Sequence, residues 1–384
     1  MKYRKFGRHE LQVSVLGFGA MRLPTYGDVR KSDRLSENIV EDEAIKMIRF
    51  SIDQGVNYID TAYSYHKGNS EIVVGKALKD GYRDKTMLAT KSPVWLIEKS
   101  EDFERLLDEQ LKKLQTEHID FYLLHALSEK RWKQLQKLDI LKQAEAAKQA
   151  GKIKYIGFSF HDELDVFTEI IDSYDNWDFC QIQLNYMDVN YQAGLKGLKY
   201  AASKGLGIVI MEPLLGGRLA NPPADIKKLF QYKTEWTPAT WALHWLWSMP
   251  EISVVLSGMS NMEQLSENII SAKNSEVGLL SDKEYEIIDH VRHRLEGRAA
   301  IPCTECNYCM PCPNNVDIPG NFELYNQAVI YEDIEAARIK YNHFFDEEIR
   351  AEECIQCRLC EEKCPQNIDI ADWMVKVHER LGQN

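Results

Sequence analysis

Short apolar segments alternate with amphipathic ones over residues 1 to about 270, and few folds accommodate such a pattern. The short segments are rich in β-branched and aliphatic residues, which favour strands, and the segments between them have the apolar spacing of helices. The predicted strands cover residues 13–19, 56–60, 86–90, 119–125, 153–159, 179–185, 207–212 and 252–257. The predicted helices lie near residues 42–54, 70–79, 101–114, 133–150, 162–173, 192–204, 237–247 and 261–271. Eight strand–helix units predict an α/β fold, a parallel (β/α)8 barrel, with functional residues where the strands end.

An open, doubly wound sheet is the alternative arrangement for the same alternation. Such a sheet usually carries a G-x-G-x-x-G turn after its first strand, whereas the stretch LGFGAMRL holds only Gly17 and Gly19. The barrel is therefore favoured. The polar stretch at residues 25–42 predicts a long loop near the start of the barrel.

Length and composition indicate two domains. The chain has 384 residues, which is enough for one large domain and a second, smaller one. We expect the barrel at residues 1–272, a closing helix and linker at residues 273–300, and a small, mainly α-helical domain at residues 301–384.

Charge and hydropathy argue against two classes of partner. The net charge of −12 disfavours nucleic acid, because phosphate binding needs a basic surface. Residues 301–384 contain seven Lys and Arg against sixteen Asp and Glu residues, a net charge of −9. No segment approaches ~20 uninterrupted apolar residues and no signal peptide is recognisable, so we expect no membrane partner and a cytoplasmic location.

Eight of the nine cysteines lie in the acidic C-terminal segment, in the stretches CTECNYCMPCP (303–313) and CIQCRLCEEKCP (354–365). The second has the C-x2-C-x2-C-x3-C-P spacing of bacterial iron–sulfur proteins, and the first differs by one residue before its fourth cysteine. Zinc is an alternative, but a zinc ribbon uses two C-x2-C pairs and needs no third close cysteine. Disulfides are disfavoured, because cysteines this close in a cytoplasmic chain rarely pair. Iron–sulfur clusters are therefore the favoured interpretation.

Four polar residues follow three successive predicted strands. They are Asp60 and Tyr65, Lys91, and His125. A barrel brings these strand ends together, so that a lysine could lower the pKa of a neighbouring phenol and a neutral histidine could donate a hydrogen bond to a carbonyl oxygen. Singly, each residue could equally be a turn, cap or surface residue. Together they are suited to protonating an oxygen while hydride reaches the adjacent carbon.

The barrel segment resembles the aldo-keto reductases. The resemblance is carried by LGFGAMRLP, DTAYSYHKGNSEIVVG, LATKS, FYLLH, YIGFS and SGMSNMEQLSEN, in that order. It implies a (β/α)8 barrel, a nicotinamide cofactor bound without a Rossmann domain, and a small carbonyl compound as substrate. It also implies a catalytic tetrad of Asp60, Tyr65, Lys91 and His125, in which Tyr65 protonates the carbonyl oxygen, Lys91 and Asp60 tune it, and His125 orients the substrate.

The same resemblance implies the positions that hold the cofactor. Ser159 and Gln181 would bind the nicotinamide carboxamide, Met211 would lie against the nicotinamide ring, and the backbone of residues 212–217 would face the pyrophosphate. Residues 257–268 would bind the adenosine phosphate at a helix start. The full set is Gly19, Met21, Ser159, Gln181, Met211, Glu212, Pro213, Leu214, Gly216, Gly217, Ser257, Gly258, Ser260, Gln264, Glu267 and Asn268.

The identity of the nicotinamide cofactor stays open between NADP and NAD. Family members that use NADP usually place Lys or Arg in the adenosine-phosphate motif, where this chain has Gly258 and Gln264. Without a cation for the 2′-phosphate, NAD is as plausible as NADP.

The cysteine segment resembles two-cluster ferredoxin domains, in which the fourth cysteine of each motif ligates the other cluster. The resemblance implies that Cys303, Cys306, Cys309 and Cys364 hold one [4Fe-4S] cluster. It implies that Cys354, Cys357, Cys360 and Cys312 hold the second. Helical periodicity between the motifs is similar to the α-helical ferredoxin domains of respiratory reductases.

Two functions are compatible with these features. The first is an NAD(P)-linked reductase of aldehydes or ketones whose clusters either exchange electrons with a flavoprotein or ferredoxin partner or stabilise the second domain. The second is an iron–sulfur electron-transfer protein in which the barrel has changed or lost its chemistry. The complete tetrad favours the first.

Overall fold

The computed structural model describes residues 1–26 and 38–383, and most of the loop predicted at residues 25–42 lies outside them. Eight parallel strands close into a barrel in the order β10-β3-β4-β5-β6-β7-β8-β9, which confirms the predicted fold. These strands are β3 (Leu16–Gly19), β4 (Tyr58–Asp60), β5 (Met87–Ser92), β6 (Ile119–Leu127), β7 (Ile153–Phe160), β8 (Phe179–Gln183), β9 (Gly207–Met211) and β10 (Val254–Ser257). Two shorter strands, β1 (Tyr3–Phe6) and β2 (His9–Ser14), form an antiparallel hairpin before the barrel.

The hairpin fills one end of the barrel. Phe6 is fully buried, and its ring centroid lies 4.7 Å from that of Phe121 and 5.7 Å from that of Phe179. Gly207 allows this close approach, because a Cβ at that position would lie 2.4 Å from the Phe6 ring. The hairpin also corrects one prediction, since residues 13 and 14 belong to β2 and not to the first barrel strand.

The described residues form fourteen α-helices. They are α1 (Glu41–Asp53), α2 (Asn69–Ala77), α3 (Asp102–Leu114), α4 (Glu129–Lys137), α5 (Ile140–Gln149), α6 (Leu164–Asp172), α7 (Gly194–Ser203), α8 (Ala224–Leu229), α9 (Pro238–Trp247), α10 (Met262–Lys273), α11 (Asp282–Glu296), α12 (Ile318–Ile330), α13 (Ile334–His343) and α14 (Ile370–Leu381), of which the last four lie beyond the final barrel helix α10. The prediction of one helix at residues 133–150 is wrong. Asp139, with φ 50°, adopts the left-handed conformation between α4 and α5 and separates the two helices.

The chain divides into two compact units. The first contains residues 1–220 and 235–282, and the second contains residues 221–234 and 283–384. The second unit therefore includes α8 and most of α11, which the predicted division assigned elsewhere. Ion pairs explain why α8 belongs to it, because Arg298 pairs with both Asp225 of α8 and Glu332.

The core of the second unit is built from helices α12, α13 and α14. Phe322, Tyr341 and Val377 are fully buried, and Met374 is 1% exposed. The eight cysteines of the two motifs lie at the edge of this core, where six of them pack against it. Across the described residues, no helix combines the length and apolar character that a membrane span requires.

Candidate active site and cysteine centre

Three of the four predicted catalytic residues are in contact, because the side chain of Lys91 meets both Asp60 and Tyr65. Asp60 is the last residue of β4, Lys91 lies near the end of β5, and Tyr65 begins a short 3-10 turn after β4. Lys91 Nζ donates to Asp60 Oδ1 at 2.7 Å and to the Thr61 carbonyl oxygen at 2.8 Å. It also lies 3.3 Å from the Tyr65 hydroxyl. Parallel pairing of β4 with β5 produces this contact, because it brings both strand ends to the same end of the barrel.

The electrostatic environment keeps Lys91 charged and Tyr65 protonated. Burial lowers the pKa of Lys91, but its contacts with Asp60 and Tyr65 outweigh burial and raise the pKa overall. Burial raises the pKa of the Tyr65 phenol, and the Lys91 charge opposes this increase without cancelling it. The expectation that Lys91 lowers this pKa is therefore correct for its direct effect and wrong for the net shift. The phenol holds its proton at neutral pH, as a proton donor must.

A buried polar network fixes the backbone of β5 at Lys91. Gln110 of α3 donates through Nε2 to the Lys91 carbonyl oxygen at 3.0 Å and to Glu71 Oε1 at 2.6 Å. Glu71 also accepts from Thr90 Oγ1 at 2.7 Å, and Gln110 Oε1 accepts from the Tyr122 hydroxyl at 2.7 Å. These side chains are almost inaccessible to solvent. Because buried polar groups are costly to leave unpaired, the network holds this strand in one position.

His125 lies at an irregular place in β6. Pairing of β6 with β7 changes register between Leu124 and Leu127, and Ala126 adopts φ 52°. Such bulges redirect side chains next to active sites. Here the ring centroid of His125 lies 6.3 Å from that of Tyr65.

Two neighbours fix the strained Ala126. Ser159 Oγ accepts the Ala126 N–H at 2.7 Å, and Arg131 Nη1 donates to the Ala126 carbonyl oxygen at 2.6 Å. The ring of Trp95 lies 5.2 Å from that of His125. The environment of His125 is therefore set by residues from three further segments of the barrel.

The predicted carboxamide-binding residues lie on adjacent strands. Ser159 of β7 pairs in register with Gln181 of β8, and Gln181 Nε2 lies 3.5 Å from the sulfur of Met211 on β9. Gly19 of β3 pairs in register with Asp60, and Met21 lies in the 3-10 turn that follows β3. These residues therefore surround the same end of the barrel as the tetrad.

The predicted pyrophosphate segment has an unusual backbone. Glu212, Leu215, Gly216 and Gly217 all have positive φ, and residues 215–217 form a 3-10 turn after β9. Pro213 and Leu214 lie within the same stretch. A Cβ added at Gly216 would lie 3.5 Å from Arg22 Nη2, so this arginine lies against the turn.

The predicted adenosine-phosphate motif forms the start of α10. Asn261 caps the helix by accepting the Gln264 N–H at 2.9 Å, and Gln264 Oε1 accepts the Ser260 N–H at 2.9 Å. Asn268 is buried and donates to Ser257 Oγ at 3.0 Å, while Glu267 accepts from Thr237. Gly258 lies against the side chain of Arg22. Glu267 and Asn268 thus already have partners within the protein.

In the second unit, cysteines from both motifs line one pocket. Cys303, Cys306 and Cys309 of the first motif face Cys364 of the second across it, and Ile318, Phe322 and Ile370 form its apolar wall. Burial, with a smaller contribution from the charges of Cys303, Cys306 and Cys364, raises the pKa of the Cys309 thiol to about 11.

The remaining four cysteines form a second group. Burial raises the pKa of the Cys354 thiol, and the nearby charges of Cys312 and Cys357 add to the increase. Cys354 and Cys357 act on Cys360 in the same way. Within the described residues, no three His, Cys, Asp or Glu side chains converge closely enough to hold a single metal ion. In a cubane cluster each thiolate binds a different iron atom, so four thiols spread around a pocket are compatible with one.

Comparison with known proteins identifies both parts of the chain. The model of the Aldo/keto reductase family matches residues 15–293. The chain belongs to the aldo-keto reductase family. A second family model, the 4Fe-4S dicluster domain, matches residues 302–368 of this aldo-keto reductase. The protein is thus an oxidoreductase that combines a reductase barrel with an iron–sulfur domain.

Individual relatives match the barrel. L-galactose dehydrogenase from Arabidopsis thaliana is 28% identical over 307 residues, which cover 72% of this chain and 89% of the plant protein. Probable aldo-keto reductase 1 from Glycine max is 27% identical over 315 residues, which cover 72% of this chain and 86% of that protein. The holo form of aldo-keto reductase AKR11C1 from Bacillus halodurans has a TM-score of 0.62 at 26% identity and covers 76% of this chain and 96% of its own.

Four residues of this aldo-keto reductase site escaped sequence reasoning: Arg22, Trp95, Gln110 and Arg131. The helical spacing of α3 could have indicated Gln110. This polar residue follows Phe103, Leu106 and Leu107 on the buried face of the helix, where an apolar residue is usual. Arg22 and Trp95 reach the site through contacts between segments distant in sequence, for which the sequence has no local pattern. Arg131 lies five residues after Ala126, in the helix that follows β6.

Proposed function

We propose that this oxidoreductase reduces the carbonyl group of an aldehyde or ketone to an alcohol, with NADPH or NADH as hydride donor and Tyr65 as proton donor. The observation that carries the proposal is the contact of one charged, buried lysine with both Asp60 and the Tyr65 hydroxyl. This contact places a positive charge beside the phenol, which favours loss of its proton, in a site where burial otherwise raises the pKa of the phenol.

Each member of the tetrad has a role that follows from its contacts. The phenol of Tyr65 gives its proton to the carbonyl oxygen as the carbonyl carbon gains a hydride, and the Lys91 charge stabilises the phenolate that remains. Asp60 holds Lys91 at 2.7 Å. His125, in its neutral form, donates to the carbonyl oxygen and orients it.

The described residues fit a nicotinamide. Gln181 Oε1 is buried and accepts no hydrogen bond within residues 1–26 and 38–383, so it can accept from a carboxamide N–H₂. Ser159 uses its oxygen to accept from Ala126 and keeps its own proton to donate. When bound, the reduced nicotinamide supplies the hydride.

The choice between NADP and NAD remains part of the proposal. Arg22 lies against both Gly216 and Gly258, between the segments proposed for the pyrophosphate and the adenosine phosphate. Arg22 supplies a cation that the motif at residues 257–268 lacks. A cation at this place supports an anionic cofactor but does not select between NADP and NAD.

For the second unit we propose two [4Fe-4S] clusters with crossed ligation. The pocket that joins Cys364 to Cys303, Cys306 and Cys309 supports the assignment of the first cluster. The electrostatic grouping of Cys312 with Cys354 supports the second. Bound clusters supply one-electron transfer, and the acidic surface of residues 301–384 is suited to a flavoprotein or ferredoxin partner with a basic surface.

The reductase proposal is tested with Tyr65→Phe and a matched Tyr63→Phe variant. Tyr63 is two residues away, but its hydroxyl donates to Glu109 at 3.1 Å and not to the tetrad. Anaerobically purified protein is given NADPH or NADH and a panel of aldehydes and ketones. We expect carbonyl-dependent oxidation that Tyr65→Phe abolishes and Tyr63→Phe retains; full activity in Tyr65→Phe refutes the assignment.

The link between barrel and clusters needs a separate experiment. Oxidised protein is mixed with NADPH or NADH in the absence of any carbonyl compound, and the visible absorption of the clusters is followed. Bleaching indicates that electrons pass from nicotinamide to the clusters. If the spectrum is unchanged by nicotinamide but is bleached by dithionite, the clusters either exchange electrons with a partner protein or stabilise the second unit.

A further inference from the structure

An arginine lies beside the proposed catalytic histidine without a carboxylate partner. Arg131, in the first turn of α4, donates to the Ala126 carbonyl oxygen at 2.6 Å, and its guanidinium lies 5.7 Å from the centre of the Trp95 ring. Within the described part of the chain, no Asp or Glu pairs with it, and the nearby Glu129 pairs with Lys133 instead. Several guanidinium N–H groups therefore remain available.

The position of this charge relative to the reaction centre is fixed. Ala126 directly follows His125, so the hydrogen bond to its carbonyl ties the guanidinium to the backbone that carries the histidine. Trp95 neighbours both groups, since its ring lies 5.2 Å from the His125 ring and 5.7 Å from the Arg131 guanidinium. The side chain of Trp95 is 41% exposed, so one part of the ring is open to a ligand.

These contacts bring a histidine and a cation to the same aromatic ring. A ligand whose carbonyl oxygen meets His125 would lie along Trp95 and reach Arg131 with its far end. An aromatic surface favours a flat, apolar spacer. A half-buried guanidinium favours an oxyanion, which it can bind with two parallel hydrogen bonds.

We propose that the substrates of this enzyme are carbonyl compounds with an anionic group, a carboxylate or a comparable oxyanion, that Arg131 binds beside Trp95. This inference rests on the proposed reductase function and specifies its substrate class. It makes Arg131 a specificity-determining residue and Trp95 the wall along which the spacer lies.

A purely structural role for Arg131 makes a different prediction. If the arginine only holds Ala126 and thereby His125, its replacement slows the reduction of charged and neutral substrates alike. If it also binds the substrate, replacement slows the charged substrate more than the neutral one. A pair of substrates that differ only in charge therefore separates the two roles.

The probes are 4-formylbenzoate and its neutral methyl ester, assayed with wild type, Arg131→Gln and Arg105→Gln. Arg105 is an exposed arginine on α3 that pairs with Asp102, and it serves as the control for loss of one positive charge. We expect kcat/KM for the acid to exceed that for the ester by about tenfold or more in the wild type and in Arg105→Gln. Arg131→Gln should remove this preference, and Arg131→Lys should retain part of it.

Calorimetry supplies a readout that is independent of turnover. Protein saturated with NADPH or NADH, neither of which reacts with an alcohol, is titrated anaerobically with the alcohol products, 4-(hydroxymethyl)benzoate and its methyl ester. Tighter binding of the acid by about tenfold, lost in Arg131→Gln, supports the inference even if neither aldehyde is reduced, in which case only the reductase function is refuted. Equal affinities, no binding of the acid, or a preference that persists in Arg131→Gln overturns it.

Discussion

Gln110 Nε2 lies 3.0 Å from the backbone carbonyl oxygen of Lys91, so helix α3 holds the peptide of the lysine that contacts Asp60 and Tyr65. Gln110→Met keeps the volume but leaves Glu71, the Lys91 carbonyl and the Tyr122 hydroxyl without this partner. We expect a loss of about 2–4 kcal/mol in the free energy of unfolding and a lower kcat with little change in KM.

Thermal unfolding and steady-state kinetics measure both effects. The matched control is Gln136→Met, because Gln136 is exposed on α4. A Gln110→Met variant with the stability and kcat of the control would show that the network does not support Lys91.

The charge of Lys91 opposes the increase in the pKa of Tyr65 that burial causes. Lys91→Met removes this opposition, so the phenol becomes a weaker acid and reduction should slow by about 10²–10⁴-fold. In the wild type the net shift is upward from an ordinary value of 10.0, so Tyr65 keeps its proton as pH rises and kcat for reduction should show no loss from its ionisation between pH 6 and 9.

Lys112→Met is the control for this prediction. Lys112 is an exposed lysine near the end of α3, and its replacement removes the same charge outside the tetrad and the buried network. A kcat that falls through an ionisation near pH 7 or 8 and shifts in Lys91→Met would contradict the assigned direction of the Tyr65 pKa.

Crossed ligation predicts which pairs of cysteine substitutions remove one cluster and which remove two. Cys306→Ser combined with Cys364→Ser affects two ligands of the same cluster, so half of the iron should remain. Cys357→Ser combined with Cys364→Ser affects one ligand of each, so both clusters should be lost or weakened. Iron and acid-labile sulfide per chain, with EPR after dithionite reduction, measure the result.

The opposite pattern, with one cluster surviving only in the Cys357 and Cys364 double variant, assigns Cys364 to the second motif. Cys180→Ala should keep both clusters, because Cys180 is fully buried in β8. Zinc in place of iron and sulfide would exclude the cluster assignment altogether.

Phe6 connects the N-terminal hairpin to the interior of the barrel. Phe6→Ala leaves a cavity next to Tyr58, Phe121 and Phe179, and we expect it to reduce the free energy of unfolding by about 3–5 kcal/mol. The tetrad lies at the opposite ends of the strands, so kcat at a temperature where the variant is folded should stay unchanged. Tyr3→Ala, at a residue that is 47% exposed in the same hairpin, should have little effect on thermal unfolding. Equal melting temperatures for the two variants would rule out the hairpin as a part of the core.

The sequence predicted the barrel and the meeting of three strand ends because both depend on periodicity, which is local. Asp60, Lys91 and His125 follow successive parallel strands, and closure of the barrel alone brings them together. The two short helices in place of one at residues 133–150 could not be predicted, because the left-handed residue between them is Asp139 and no glycine marks the break.

The environment of the site was less predictable for a different reason. His66 and Lys67, with φ 51° and 53°, form the turn after Tyr65, and neither residue type signals that conformation. Arg131 donates to the carbonyl oxygen of Ala126 at the place where the pairing of β6 with β7 changes register. Such features arise when the whole barrel is packed, and the net upward shift in the pKa of Tyr65 likewise follows from burial that a list of neighbouring charges does not reveal.

Pairing between β3 and β10 joins Leu16 to Val255, at opposite ends of the barrel sequence. During synthesis, the ribosome must therefore add nearly the whole barrel before β3 gains its second neighbour. Until then the nascent chain has open parallel strand edges, which can pair with other chains. Production of this protein should accordingly depend on chaperones that shield an incomplete sheet, and fragments that end before residue 254 should accumulate as aggregates.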